Sequence, residues 1–347
     1  MCEGDGVPVP AQRDAADAVS FLSRPAAYPE SPTAVQVIET HMSWVFLADA
    51  DVYKLKKAIR HDEIDFSTAN LRRHNCQEEV RLNRRLAPRV YLGVVALTRD
   101  AGGAFAIGGD GPAVDWLVHM QRLPDNRHLD AVIGAGGARA EEPRIRAAAR
   151  HLAQFFATAT PEPISAGAHR GVLERGVKAD REMLSDPRYG LPRTRVDALA
   201  CAQLAFLHDC ASLFEARVSA GRIVEGHGDL RPEHIWLDPE PAILDCVEFD
   251  RTLRTMDPAD ELAFLALECE RLGAPEVGDW FIEAYIEATG DTPPMALRRF
   301  YRVYRALRRA TIAARHLDDP SVSDPERFLE RARHYVNLAE PVTCPTA

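Results

Sequence analysis

The sequence predicts an α+β fold in two lobes, a small β-rich N-lobe followed by a larger, mostly helical C-lobe. Three observations predict it. Short runs that read as strands lie, apart from one hairpin, before Pro124. After Pro124, apolar residues recur at helical spacing in one segment after another. A length of 347 residues is enough for two separate cores.

Residues 1–30 mix acids, Pro and Ala without a basic start or an apolar run, so neither a signal peptide nor a good helix is expected, and they read as a disordered tail. Residues 31–123 form the expected N-lobe. Within it, residues 34–39, 43–47 and 52–56 read as strands, with Asp49-Ala50-Asp51 as the link before the third. Asp65-Phe66-Ser67-Thr68 offers N-caps for a long helix reaching about Leu86, which Ala87-Pro88 stops. Strands near 92–98 and 114–123 flank a Gly-rich turn over 101–112. Residues 124–347 form the expected C-lobe, with helical spacing near 142–159, 194–219, 258–272, 276–289, 294–316 and 324–338. Gly134-Ala135-Gly136-Gly137 reads as a flexible joint. The only strands expected in this half belong to a hairpin within 227–250.

Composition excludes several function classes. A formal net charge of −10 argues against non-specific nucleic-acid binding. The Arg-rich stretch from Arg298 to Arg309 interleaves its basic positions with aromatics and aliphatics, so it reads as a solvated helix face. No apolar run approaches the roughly 18 residues of a membrane span. Seven scattered cysteines without a C-x-x-C pair suggest reduced thiols, hence a cytoplasmic protein with neither a disulfide frame nor a zinc site. Oligomeric state is left open.

The most informative run is Glu225-Gly226-His227-Gly228-Asp229-Leu230-Arg231-Pro232-Glu233-His234, followed by Ala242-Ile243-Leu244-Asp245. It reads as a His-x-Asp loop, a short strand, a Pro turn and a second strand ending in an acid. Two carboxylates at one hairpin is the arrangement by which protein-kinase-type enzymes place a hydroxyl-accepting Asp beside a magnesium-holding Asp. A lone HGD would read as an incidental surface acid; the second Asp is what makes a phosphotransfer site the better reading.

Phosphoryl transfer needs positioning and charge neutralisation more than covalent chemistry, and four parts supply them. Asp229 is the candidate catalytic acceptor of the substrate hydroxyl's proton, with His227 as a structural neighbour and Arg231 as a substrate contact. Asp245 suits Mg²⁺, a hard oxygen-seeking ion. His234 stands where kinase loops carry a metal-holding Asn, so it either binds the metal, with Mn²⁺ then preferred to Mg²⁺, or contacts phosphate while a group such as Glu248 assists the ion. Lys54 and Lys56 alternate onto one strand face, with Lys57 pointing away. Lys54 is the chosen phosphate clamp, because Val52 precedes it on that face and can lie against adenine. Glu79 is the expected tether for the lysine, on a helix whose Leu82 and Leu86 mark the buried side; Glu78 is second. Thr40, His41 and Ser43, in a link without glycine, would form the phosphate lid. Met120 and Leu123 complete the nucleotide contacts between the lobes. There is no G-x-x-x-x-G-K-[ST], so this is not a P-loop enzyme.

With these parts in order, the chain resembles the aminoglycoside phosphotransferase family of the protein-kinase-like fold, over most of residues 35–267. The resemblance rests on His227-Gly228-Asp229-Leu230, on Ile243-Leu244-Asp245, and on Asp257-Pro258-Ala259 with Leu262-Ala263, where Glu261 replaces the family's second Asp. More narrowly, residues 40–46, 53–57 and 79–88 are similar to an uncharacterised bacterial branch. The resemblance implies ATP or GTP, Mg²⁺, and transfer of the γ-phosphoryl group to a hydroxyl of a small molecule such as an aminoglycoside or sugar. The competing class is a nucleotide-binding pseudokinase or regulatory module, favoured by the lid without glycine and by His234.

Overall fold

In a computed structural model, which describes residues 10–61, 64–319 and 322–344, the chain divides into two units. One comprises residues 1–127 with 238–251, and the other residues 128–237 with 252–347. The expected boundary at 123 is thus moved by four residues, and the second half of the expected hairpin belongs to the first unit. Two hydrogen bonds accompany that assignment: the Ile243 amide donates to the Leu86 carbonyl at 3.3 Å and the Cys246 amide to the Asn83 side-chain Oδ1 at 3.0 Å.

Alternation along one strand organises the first unit. The chain begins with α1 (Pro10–Leu22), then strands β1 (Val35–Glu39), β2 (Ser43–Ala48) and β3 (Asp51–Lys56). The short pair β4 (Arg60–His61) and β5 (Ile64–Asp65) leads to helix α2 (Ala69–Asn83), and β6 (Tyr91–Arg99), β7 (Phe105–Ile107) and β8 (Ala113–Gln121) follow. Six strands form one antiparallel sheet in the order β1-β2-β3-β8-β6-β7. On β3, Tyr53 and Leu55 point to one face and are buried with Phe46, Ala48, Leu97 and Leu117, and with Ala18, Leu22 and Tyr28 from the N-terminal segment. Val52, Lys54 and Lys56 take the other face. Thr68 caps α2 by accepting from the Leu71 amide at 3.3 Å.

Two expectations change here. Residues 1–9 of the expected tail lie outside the described residues, but residues 10–22 form α1. Its Ala18 and Leu22, one turn apart, cover the Tyr53–Leu55 face; complete burial of Leu22 contributes roughly 1.5–3 kcal/mol, which helps offset the ordering of the helix. The Gly-rich turn contains a strand, because Phe105 and Ile107 pair with Arg99 and Leu97.

The second unit is helical: α3 (Leu129–Gly134), α4 (Glu142–Thr158), α5 (Ala166–Leu184), α6 (Arg193–Asp209), α7 (Ala211–Ser219), α8 (Pro258–Arg271), α9 (Pro275–Thr289), α10 (Met295–Arg315) and α11 (Pro325–Leu338). Short strands Val224–Glu225 and Thr255–Met256 pair antiparallel. The sequence pattern missed α3 and α5, and α5 carries Gly167, Gly171 and Gly176, which break the appearance of a helix. The expected single helix over 194–219 is two, bent by 61° at Cys210. Among the described residues no single helix is long and apolar enough to cross a membrane.

Helix α10 runs through the core, its Val303, Ala306, Leu307 and Ala310 packed with Val196, Leu199, Tyr335 and Val336. Its arginines are only in part a solvated face: Arg299 is exposed and Arg298 half-buried, while Arg302, Arg305, Arg308 and Arg309 pair with acids. Arg305 is buried on Asp260, with bonds of 2.6 and 2.7 Å, Arg308 meets Asp180 at 3.3 Å, and Arg302 meets Glu270. Asp260 and Asp180 are buried, and of the three arginines only Arg305 is buried with its acid. The expectation of reduced thiols is also corrected: Cys210 and Cys344 form a disulfide, brought to a Cα–Cα distance of 5.9 Å. Burial of Val342 in the same core cluster as Cys210 brings the two together. Among the described residues Cys76, Cys201, Cys246 and Cys269 are in no disulfide.

Candidate active site

In the first unit, β3, α2 and the 245–248 segment build one cluster of two ammonium groups and three carboxylates. Lys54 Nζ donates to Glu79 Oε1 at 3.0 Å and lies 3.3 Å from Asp245 Oδ1. Lys56 Nζ reaches Glu79 Oε2 at 2.6 Å and Glu248 Oε1 at 2.6 Å. One buried carboxylate thus joins both lysines. The two differ in access: the Lys54 side chain is 17% exposed and the Lys56 side chain 1%, so Lys54 is the one a ligand can reach. Burial disfavours the charge on Lys54, but Glu79, Asp245 and Glu248 outweigh it and hold the ammonium well above its ordinary pKa. Burial likewise pushes the Glu79 carboxyl up, and the two lysines more than reverse this, so both partners stay charged. Glu78 is turned to Arg81, 2.8 Å away, and is not the tether. Lys57 points away, to Glu39.

Asp245 has φ +64°, the left-handed conformation that costs an L-residue strain, and its side chain is 54% exposed. Glu248, a candidate helper for the ion, is engaged by Lys56. Val52 lies opposite Met120 in the β3–β8 register, so the two share the lysine face. Leu123 follows β8 and is half-buried.

The link between β1 and β2 departs from the expected lid. Thr40 Oγ1 donates to the Ser43 carbonyl at 2.9 Å and accepts from the Ser43 amide at 2.9 Å. Ser43 is 1% exposed, so its hydroxyl faces the interior and not a phosphate. The turn closes on its own hydroxyl where glycines would leave amides pointing outward. His41 is exposed on it.

In the second unit, the loop carrying Asp229 is held through its backbone. Glu261, in the first turn of α8 and 1% exposed, accepts from the His227 amide at 2.9–3.0 Å and also from the Gly228 amide. Gly228 has φ +91°, a conformation that suits glycine. A Cβ on Gly226 would stand 2.6 Å from Glu261 Oε2, so glycine is required there as well. Asp257 caps α8 through the Ala259 amide and is gripped at both oxygens by Arg217 at 2.7 Å. His227 is fully buried, and its Nδ1 lies 3.3 Å from the Asp229 amide, consistent with its structural assignment.

The Asp229 side chain is 29% exposed and lies 3.0 Å from the Arg231 guanidinium. Burial raises its pKa, but the Arg231 guanidinium outweighs this and holds it below the usual carboxylate range. His234 does not stand ready for a metal. Its Nε2 takes the Arg231 guanidinium at 3.0 Å and its Nδ1 meets the Asp229 carbonyl at 2.9 Å. Arg231 cannot donate a proton to another donor, so Nε2 accepts and the Nδ1 proton goes to the carbonyl. Arg231, expected at the substrate, is engaged with Asp229, Glu233 and His234.

Among the described residues no group of three or more His, Cys, Asp or Glu is arranged to hold a metal ion. In nucleotide sites Mg²⁺ is usually held by one or two carboxylates, with phosphate and water completing its shell. Asp245, an exposed hard-oxygen donor, matches that habit.

No family model matches the chain. Uncharacterised proteins of Mycobacterium tuberculosis and Mycobacterium bovis are each 34% identical over 313 residues, covering 87% of this chain. The chain spans 58% of the length of these curated relatives. Among solved structures, a choline/ethanolamine kinase family protein from Mesorhizobium loti shares 14% identity, with 94% of each chain covered and a TM-score of 0.52. A choline kinase from Cryptosporidium parvum shares 11% identity, with 94% of each chain covered and a TM-score of 0.52. At this identity the likeness is one of fold.

Proposed function

We propose that this chain, which has the two-lobed kinase-like fold of those choline and ethanolamine kinases, is an ATP-dependent phosphotransferase acting on a hydroxyl of a small molecule. The observation that carries the reading is the meeting of Lys54, Glu79 and Asp245, drawn from three separate segments, in one charged cluster. Ion pairing at one surface is common, but a lysine joined both to a buried tether and to an exposed acid is what a triphosphate and its cation require.

Each residue has a part. Lys54 would pair with the phosphates, held in place by Glu79. Val52 and Met120, with Leu123 beyond them, would line the base, and His41 would stand by the phosphates. Asp245 would hold Mg²⁺; when bound, the ion neutralises charge on the phosphate oxygens. Asp229, ionised because its pKa is depressed, would orient the acceptor hydroxyl and take its proton. Arg231 and His234 would keep that carboxylate aimed, and Arg231 can turn to an anionic acceptor or phosphate. The acceptor would be a hydroxylated small molecule such as an aminoglycoside, a sugar or an amino alcohol. GTP is the alternative donor.

The second reading, a nucleotide-binding module without transfer, is supported by the self-closed Thr40–Ser43 turn, which leaves fewer amides for the phosphates. A single experiment separates them: purified protein with Mg²⁺ and ATP or GTP, screened for nucleoside diphosphate release over a panel of hydroxyl compounds. Release that depends on one acceptor supports the transferase. Mg·ATP binding without acceptor-dependent release supports the module, and no nucleotide binding overturns both.

A further inference from the structure

The stretch Glu79-Val80-Arg81-Leu82-Asn83 contains a polar residue that the phosphotransfer parts do not account for. Asn83 is completely buried. Its Nδ2 donates to the Glu79 carbonyl one turn back at 2.8 Å, which fixes the amide's orientation and leaves Oδ1 facing out of the helix. That Oδ1 accepts from the Cys246 amide at 3.0 Å, across 163 residues of sequence. Cys246 is the residue next to Asp245, whose φ of +64° is unfavourable for a side chain with a Cβ. The direction of the Asp245 carboxylate, and so its 3.3 Å approach to Lys54, depends on that backbone conformation being held.

We propose that Asn83 is a positioning residue for Asp245: it hooks the following amide onto α2 and so aims the carboxylate at the cation site. The inference rests on the phosphotransfer reading above and adds to it a residue acting through the backbone. Glu79 and Asn83 are four residues apart and share one face of α2, so a single helix sets both the lysine and the acid. The segment is clasped again three residues on, where Glu248 meets Lys56 at 2.6 Å. Leu or Ser at position 83 would leave Lys54, Glu79 and Asp245 chemically intact and change only how the acid is presented.

The test uses the full chain and two readouts that do not require turnover. One is hydrogen exchange of the Cys246 amide with neither metal nor nucleotide added; the other is the Mg²⁺ concentration that half-saturates ATP binding. Asn83→Leu keeps the side chain's shape and removes both bonds; Asn83→Asp retains an oxygen that can accept from Cys246. In Asn83→Leu, Cys246 exchange should accelerate by about 2- to 12-fold, the equivalent of one net hydrogen bond. The half-saturating Mg²⁺ should rise by roughly 10- to 100-fold, as for other residues that orient a metal ligand, with metal-free ATP affinity unchanged. Asn83→Asp should recover only part of both, because its second oxygen meets the Glu79 carbonyl without a proton to donate. Should Asn83→Leu not fold, Asn83→Ser carries the same comparison. Wild-type exchange or Mg²⁺ dependence in the folded Leu or Ser variant would overturn the proposal. If the wild-type protein shows no Mg²⁺-dependent ATP binding, the phosphotransfer reading itself fails and the role of Asn83 with it. If wild type shows that binding and the variants match it, only the role of Asn83 fails.

Discussion

The lysine cluster of the first unit and the Asp229 loop of the second are held by different physics, although Asp245 beside that cluster is also tied through a backbone amide. Around Lys54 the geometry is set by side chains on side chains: Lys54, Lys56, Glu79 and Glu248 are charged groups from distant segments, largely buried and mutually neutralised. Around Asp229 it is set by a side chain on the backbone, with Glu261 gripping consecutive amides of a glycine-bearing loop. The first arrangement fails when any one charge is removed, because its partner is left buried and uncompensated. The second tolerates changes in charge better than changes in shape or hydrogen-bonding pattern.

The sharpest way to break this comparison is within the lysine pair. Lys56→Met should destabilise the protein by about 3–5 kcal/mol in urea unfolding, since it strands Glu248 and half of Glu79 in the interior. Lys54→Met should cost less stability, its pair being partly exposed, yet lower phosphoryl transfer on the order of 10²- to 10³-fold, the loss seen when one preorganised donor is removed. Equal effects of the two on both measurements would mean that the lysines share one role. Next in size, Glu261→Gln should cost about 1–3 kcal/mol, because an amide offers one acceptor oxygen where the loop uses two, and leaves a donor facing a donor. Gly226→Ala should mimic it through steric displacement of the same carboxylate; a neutral Gly226→Ala would show that the loop can shift without loss.

The smallest expected effect is a pH dependence. Asp229 has a lowered folded-state pKa, so the stability it contributes is present above the ordinary carboxylate value and is lost as pH falls through the lowered one. The stability gap between wild type and Asp229→Asn should therefore narrow as pH drops below about 4. A gap constant down to the acid transition would mean that Asp229 gains nothing from Arg231.

Much of this was legible in the sequence where the governing contact was local. Strand alternation put Lys54 and Lys56 on one face with Val52, and the Leu82 and Leu86 spacing pointed to Glu79. The loop glycine at 228 and the cap at Asp257 follow from backbone chemistry alone. What was not legible depends on chain segments far apart in sequence. Helix α1 is ordered by a sheet face it covers, Ser43 is withdrawn by the turn it closes, and Arg305 is drawn inward by the buried Asp260. Asn83 and Glu261 gave no sign of their roles, because each acts on an amide more than 30 residues away. The Cys210–Cys344 disulfide has a separation of 134 residues, and no spacing rule reaches that far.

The most direct test of the account pairs two variants by calorimetry and a transfer assay. Asp229→Asn should bind Mg·ATP within a few-fold of wild type while losing transfer by about 10²- to 10⁴-fold, because its carboxylate serves the acceptor. Asp245→Ala should lose the metal-dependent part of ATP binding, because it removes the acid that holds the ion. Unchanged Mg·ATP binding in Asp245→Ala, together with near wild-type transfer in Asp229→Asn, would contradict the assignment of both residues and the phosphotransfer reading with them.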